Sequence, residues 1–254
     1  MKKFRHQHQR PKKNTLIVGR EAVISAMQEH KQLERIYLQS NVHGPAIDEI
    51  KQLAQQQMVP INKVPVEKLN SFNVFNHEGC IAQIARIQYQ NLQDIISFVV
   101  ESGKTPLFLI LDGVTDIRNI GAIARSSFCF GVDAIVIPEK GVGALNEDAV
   151  LTSAGALEQI AVCRVGSLMK AVDELHLNGI KVFASEMTAN KKIGDIDFNE
   201  PCAIVMGGEE HGIYPALMKI CDESFNIPMP GDFESLNVSV ATGVILYEVS
   251  RQRR

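Results

Sequence analysis

The sequence predicts an α/β protein. Its C-terminal part is expected to form a mostly parallel sheet with helices on both faces, preceded by a small α/β domain. Three observations carry this. From Pro106 onward, short and nearly continuous apolar runs alternate with helical patterns, as strands buried on both faces require. A shorter alternation of the same kind occupies residues 15–87. The length of 254 residues is ample for two domains.

Taken in order, residues 1–14 hold Lys2, Lys3, Arg5, Arg10, Lys12 and Lys13 and no acid. They cannot build a core and are expected to form a disordered basic tail. "LIVGREAVISAMQEH" reads as a strand and then a helix with Ala22, Ile24, Ala26 and Met27 among its apolar positions. "LERIYLQS" is a strand, "AIDEIKQLAQQQM" a helix with Ile47, Ile50 and Leu53 on one stripe, and "PINKVP" and "CIAQIARI" close the unit near Ile87. The Asn-rich "NSFNVFNHEG" between them reads as a loop. Residues 88–105 are expected as a linker, with Asn91 able to cap a helix that stops at Gly103. Residues 106–254 supply the strands "LFLILDGV", "AIVIPE", "IAVCRV", "IKVFASEM", "CAIVMGG" and "SFNIPM", with helices near 120–130, 146–156, 167–178, 212–221 and 238–251.

Composition excludes several classes. No apolar run approaches the roughly 18 residues needed to cross a bilayer, and the apolar stretch after the basic start is too short for a signal peptide core. A cytoplasmic location is expected. Five scattered cysteines without a CxxC pair argue against a disulfide framework and a zinc site. "SGKT" at 102–105 is not a phosphate loop, because Phe98 stands where the first glycine belongs and Pro106 follows at once. Neither "GVGALN" nor "GGEEHG" supplies a dinucleotide fingerprint. The net charge of −3 looks wrong for a nucleic-acid binder until it is located: removing the six tail cations leaves −9 on the rest.

Ligands of open parallel sheets sit beyond the carboxyl ends of the strands. That places candidate chemistry at residues 113–125, 185–190, 206–212 and 228–239. Each unusual residue there has an ordinary explanation when taken singly. Asn119 and Asn237 can cap helices, Arg125 can reach solvent beside the buried stripe of its helix, Gly207 and Gly208 can make a tight turn, and Ser235 can be a loop hydroxyl. Glu210 and His211 read as an exposed polar bend.

Together they form a recognisable set. N-x-G-x-x-x-R after "LDGV", then "MGGEEHG", then "IPM-x-G-x-x-x-SLNVSVA" resemble, in order, the three motifs of the SpoU-type RNA 2′-O-ribose methyltransferases of the SPOUT superfamily. Residues 15–87, opening "GREAV", are similar to the RNA-binding domain of the branch that modifies a guanosine of 23S ribosomal RNA. The resemblance implies a C-terminal trefoil knot, S-adenosylmethionine as cofactor, RNA as partner and a homodimer. It implies cofactor contacts at Met206, Gly207, Gly208, Ile227, Met229 and Leu236. It implies a catalytic set of Asn119, Arg125, Glu209, Ser235 and Asn237, and no metal. A guanidinium does not ordinarily give up its proton. Arg125 is therefore expected to grip the ribose-phosphate and stabilise the alkoxide, held by Glu209 and Asn119, with Ser235 and Asn237 on ribose or cofactor. Two other readings stay open: a transfer-RNA ribose methyltransferase, and a non-catalytic RNA-binding or assembly factor. An idle scaffold has no chemical need for all five catalytic residues.

Overall fold

The structure is a computed structural model that describes residues 15–231 and 235–254. The basic tail expected at 1–14 lies outside the described residues. The chain divides into two compact units at the 85/86 boundary.

The first unit comprises β1 (Leu16–Val18), α1 (Arg20–Gln28), β2 (Leu33–Gln39), α2 (Pro45–Gln56), β3 (Ile61–Val64), α3 (Val66–Asn70) and β4 (Cys80–Ile84). Its sheet runs β1-β4-β2-β3, antiparallel on both sides of β4 and parallel between β2 and β3. The period of two in β2 sorts its side chains. Ile36 and Leu38 face α1 and α2, where Val23, Met27, Ile47, Ile50 and Ala54 complete one core. Tyr37 faces the other way and meets Leu69 and Phe72, its ring 4.9 Å from that of Phe72. Helix α3 carries this second layer. At five residues it is too short to leave a periodic signature, and no sequence expectation covered it.

The second unit comprises β5 (Tyr89–Gln90), α4 (Leu92–Glu101), β6 (Leu107–Asp112), α5 (Ile117–Cys129), β7 (Ala134–Pro138), α6 (Glu147–Thr152), β8 (Ala161–Val165), α7 (Leu168–Leu177), β9 (Lys181–Ser185), β10 (Lys191–Lys192), β11 (Cys202–Gly207), α8 (Pro215–Met218), β12 (Glu223–Asn226) and α9 (Val238–Gln252). Among the described residues the sheet order is β10-β12-β9-β11-β6-β7-β8-β5, and every pairing in it is parallel. Both faces are apolar, which is why the strands read as continuous runs. Leu107, Leu109 and Leu111 pack on one face with α5 and α9, while Phe108 and Ile110 pack on the other with α4 and α7.

Residues 88–105, expected as a linker, carry structure that belongs to this unit. β5 pairs with β8, Arg164 stacks 3.5 Å over the Tyr89 ring, and α4 buries Leu92, Ile96 and Val99. Asn91 caps α4 by accepting from the Asp94 amide. Helix α8 is a single turn opened by Pro215, shorter than the expected span, and β12 stops at Asn226, leaving Ile227 and Met229 in the loop beyond it. Among the described residues no helix is long and apolar enough to cross a membrane.

Candidate active site

Strands β9, β11 and β12 are adjacent and parallel, so Ser185, Gly207 and Asn226 end together at one edge of the sheet. A cleft of about 580 Å³ opens there, within the range of small-molecule sites. All six positions expected to touch a cofactor line it: Met206, Gly207, Gly208, Ile227, Met229 and Leu236. Met206 belongs to the core beneath, Ile227 and Met229 are half-buried, and Leu236 stands at the rim, 38% exposed.

The two glycines answer first to the chain itself. A Cβ on Gly207 would lie 2.3 Å from the Gly212 carbonyl carbon, and one on Gly208 would lie 2.2 Å from the Gly113 carbonyl oxygen. The loop after β11 is folded back by a Gly212 to Gly208 hydrogen bond of 3.0 Å, and laid against the loop after β6. The register of β11 on β6 sets Gly207 opposite Asp112, whose carboxylate accepts from the Tyr214 amide at 2.7 Å. No sequence reading singled out Asp112. Its only signal is a carboxylate at the end of an otherwise apolar strand.

The motif residues converge unevenly. The Asn119 amide donates to Glu209 Oε1 at 2.9 Å, and the Asn237 amide donates to the same oxygen at 2.8 Å and to Asn119 Oδ1 at 3.1 Å. Asn237 also caps α9, its Oδ1 accepting from the amide and hydroxyl of Ser239. One side chain thus starts a helix and binds two remote loops. Asn119 is not a cap, because Asp116 holds that place on α5 by accepting from the Arg118 amide. Glu209 and Ser235 line the cleft, whereas Asn119, Arg125 and Asn237 do not.

Arg125 is exposed on α5. Six residues past Asn119, it lies roughly 9 Å further along the helix and about a third of a turn away. The expectation that Glu209 and Asn119 hold it is corrected: those two bind each other and Asn237, and no hydrogen bond or ion pair of Arg125 occurs among the described residues. The guanidinium thereby avoids the buried stripe of Ile120, Ile123 and Ala124. Gly121, in the same motif, lets α5 close on α6, since a Cβ there would sit 2.7 Å from Thr152 Cβ.

Sequence reasoning missed Ser185, Glu186 and Met187, which line the cleft, although the strand-end rule had marked 185–190 without naming residues. It also missed Arg118, whose guanidinium pairs with Asp116 at 2.9 Å and whose pKa is raised by that bond and, more weakly, by Glu209. His211 and Glu210 are almost fully exposed at the tip of their loop.

Residues 106–247 match the SpoU rRNA Methylase family, and residues 16–90 match the RNA 2′-O ribose methyltransferase substrate-binding domain. The chain belongs to the SpoU methylase family. It is an RNA 2′-O-ribose methyltransferase of the SpoU/TrmH group, a family that uses S-adenosylmethionine. YacO of Bacillus subtilis strain 168, grouped with the TrmH family tRNA/rRNA methyltransferases, is 33% identical over 93% of this chain and 95% of its own length. Several solved structures share the fold. The AdoMet-bound rRNA methyltransferase of Sinorhizobium meliloti has a TM-score of 0.60 at 20% identity, over 93% of this chain and 87% of that one. AviRb of Streptomyces viridochromogenes in complex with AdoMet has a TM-score of 0.59 at 23% identity, over 94% and 90%. The A. aeolicus TrmH/SpoU tRNA modifying enzyme is 28% identical over 64% of this chain and 84% of its own, with a TM-score of 0.52.

Proposed function

We propose that this methyltransferase modifies the ribose 2′-oxygen of a guanosine in 23S ribosomal RNA, in the cytoplasm and as a homodimer, using the cleft beyond β9, β11 and β12. The observation that carries the site is the shared Glu209 oxygen, which ties Asn119 and Asn237 to a loop lining that cleft.

The cleft fits S-adenosylmethionine. Ile227, Met229 and Leu236 offer apolar wall, the Gly207–Gly208 edge carries no side chain, and the lining carboxylates Glu186 and Glu209 favour a cationic ligand. Bound there, the cofactor supplies a methyl group on a sulfonium. The remaining work falls to the chain. Asn237 and Asn119 fix the Glu209 carboxylate, so the rim that meets the ribose is set before RNA arrives. Ser235 is exposed beside Leu236 and lines the cleft, which supports a contact with ribose or cofactor. Arg125, exposed on α5, has its donors available for a ribose-phosphate and for charge developing on the 2′-oxygen as its proton leaves. The trefoil knot implied by the family belongs to the same proposal.

The homodimer is supported by the outer face of α9. Val240, Val244 and Tyr247 are exposed at i, i+4 and i+7, an apolar stripe of the kind a second copy covers.

Mapping 2′-O-methylated riboses in the RNA of a deletion strain tests the reading. Loss of one 23S guanosine site is expected. Loss of a transfer-RNA site would move the substrate to tRNA, and loss of none would favour the non-catalytic binding factor.

A further inference from the structure

Phe75 stands apart from the rest of the first unit. Its side chain is 92% exposed, whereas Phe72, three residues earlier, is buried against Tyr37. Exposing a whole phenyl ring gains nothing in folding, and a flexible loop would turn it inward. Here it cannot turn inward freely. Val74, on one side, packs into the small cluster of Leu69, Phe72 and Ile81. Asn76, on the other, holds a left-handed φ of 55°. Asn73 and Glu78 are left-handed as well, at 54° and 49°, a conformation that asparagine tolerates and that fixes the path of the loop at three positions within six. The loop is pinned at its base. His77 Nε2 lies 3.0 Å from Asn70 Oδ1, His77 Nδ1 accepts from the Gly79 amide at 3.0 Å, and Arg20 Nε donates to the Glu78 carbonyl at 2.8 Å.

We infer that Phe75 is a base-stacking platform of the substrate-binding unit, taking the face of an unpaired nucleobase. Single-stranded RNA is recognised largely through bases splayed onto aromatic rings, and a ring held outward has already met the ordering cost. The neighbouring amides of Asn73 and Asn76, both exposed, are suited to base edges. A duplex hides its base faces and gives Phe75 nothing to stack on. This inference rests on the reading of the unit as an RNA binder, but not on which RNA is methylated.

The chain contains no tryptophan, so Phe75→Trp places a single reporter at the site. The full-length protein is titrated with 12-mer oligoadenylate and with a perfect RNA duplex of the same length. The Trp variant should bind oligoadenylate as the parent does, with its fluorescence quenched by oligoadenylate and not by duplex. Phe75→Ala and Phe75→Leu should weaken oligoadenylate binding roughly 5- to 100-fold and leave duplex binding unchanged. Circular dichroism should be the same for all. Equal binding by the Ala variant, full function of the Leu variant, or unquenched Trp would overturn stacking. So would loss of self-association in the Ala variant with RNA binding intact, which would assign the ring to a protein contact. Methyl transfer by the parent to unmodified 23S transcript is measured in parallel. Its failure would sink the substrate assignment while leaving the stacking result to stand on oligoadenylate.

Discussion

Substitutions at two residues of the proposed site should separate binding from turnover. Arg125 lies outside the cleft lining, so Arg125→Ala should leave cofactor affinity by calorimetry unchanged and lower turnover on the order of 100-fold or more. Parallel loss of affinity would put Arg125 on the wrong side of the reaction. Asn237 does two jobs that substitution can divide. Asn237→Asp keeps the cap that accepts from Ser239, but removes both amide donors and sets a carboxylate against Glu209. It should cost about 1 kcal/mol, or roughly 2–4 °C in Tm, because exposed like charges at this range repel only modestly in water. Turnover should fall about 100-fold through misplacement of Glu209. Asn237→Ala loses the cap but sets no charge against Glu209, so it should cost a similar amount, about 1 kcal/mol, through the lost cap alone. If the Asp variant turned over normally, the shared carboxylate would be a structural tie and nothing more.

At the scale of elements, the last helix is fastened to the far end of the sheet. Arg253, at the end of α9, donates to the carbonyls of Thr105, Pro106, Phe198 and Glu200 over 2.7–3.1 Å. Two of these carbonyls immediately precede β6 and another lies just before β11, at the amino ends of strands whose carboxyl ends lead into the loops of the proposed site. The planar fork matches several carbonyls at once, which a lysine cannot do. Arg253→Ala and Arg253→Lys should each destabilise the second unit by about 2–4 kcal/mol in urea unfolding. Cofactor affinity measured well below the transition should hold. Rescue by Lys would show that charge, not the fork, fastens the helix.

For the whole molecule, the apolar stripe of α9 predicts a dimer. Sedimentation should find two chains per particle, and Val244→Glu, placed mid-stripe, should dissociate them without unfolding the monomer. A fully active monomer would refute it. Residues 1–14 lie outside those described, and their charge alone carries a prediction. Six cations on a chain that is otherwise −9, the −3 total less those six, should supply much of the long-range attraction to RNA. Deleting them should flatten the slope of log affinity against log salt by roughly 0.7–0.9 for each phosphate no longer neutralised. Cognate and non-cognate RNA should weaken alike, because phosphate contacts carry no sequence information. An unchanged slope would make the tail a solvated extension.

What the sequence determined by itself was whatever a short window can encode. Alternating buried runs such as "LFLILD" and "CAIVMG" specify a parallel sheet, because strands covered on both faces must be apolar at every position. The resemblance of three motifs to a known family marked which loops to watch, and all six positions it led us to expect at the cofactor line one cleft. The tertiary structure decided what those residues touch. Glu209 meets Asn119 and Asn237 rather than Arg125, Gly207 and Gly208 are demanded by the chain's own backbone, and Asp112 reaches Tyr214. The side-chain bonds among Asn119, Glu209 and Asn237 span 28 to 118 positions along the chain. No local period records such a distance; it is created only when the register of β6, β11, β9 and β12 brings their ends together.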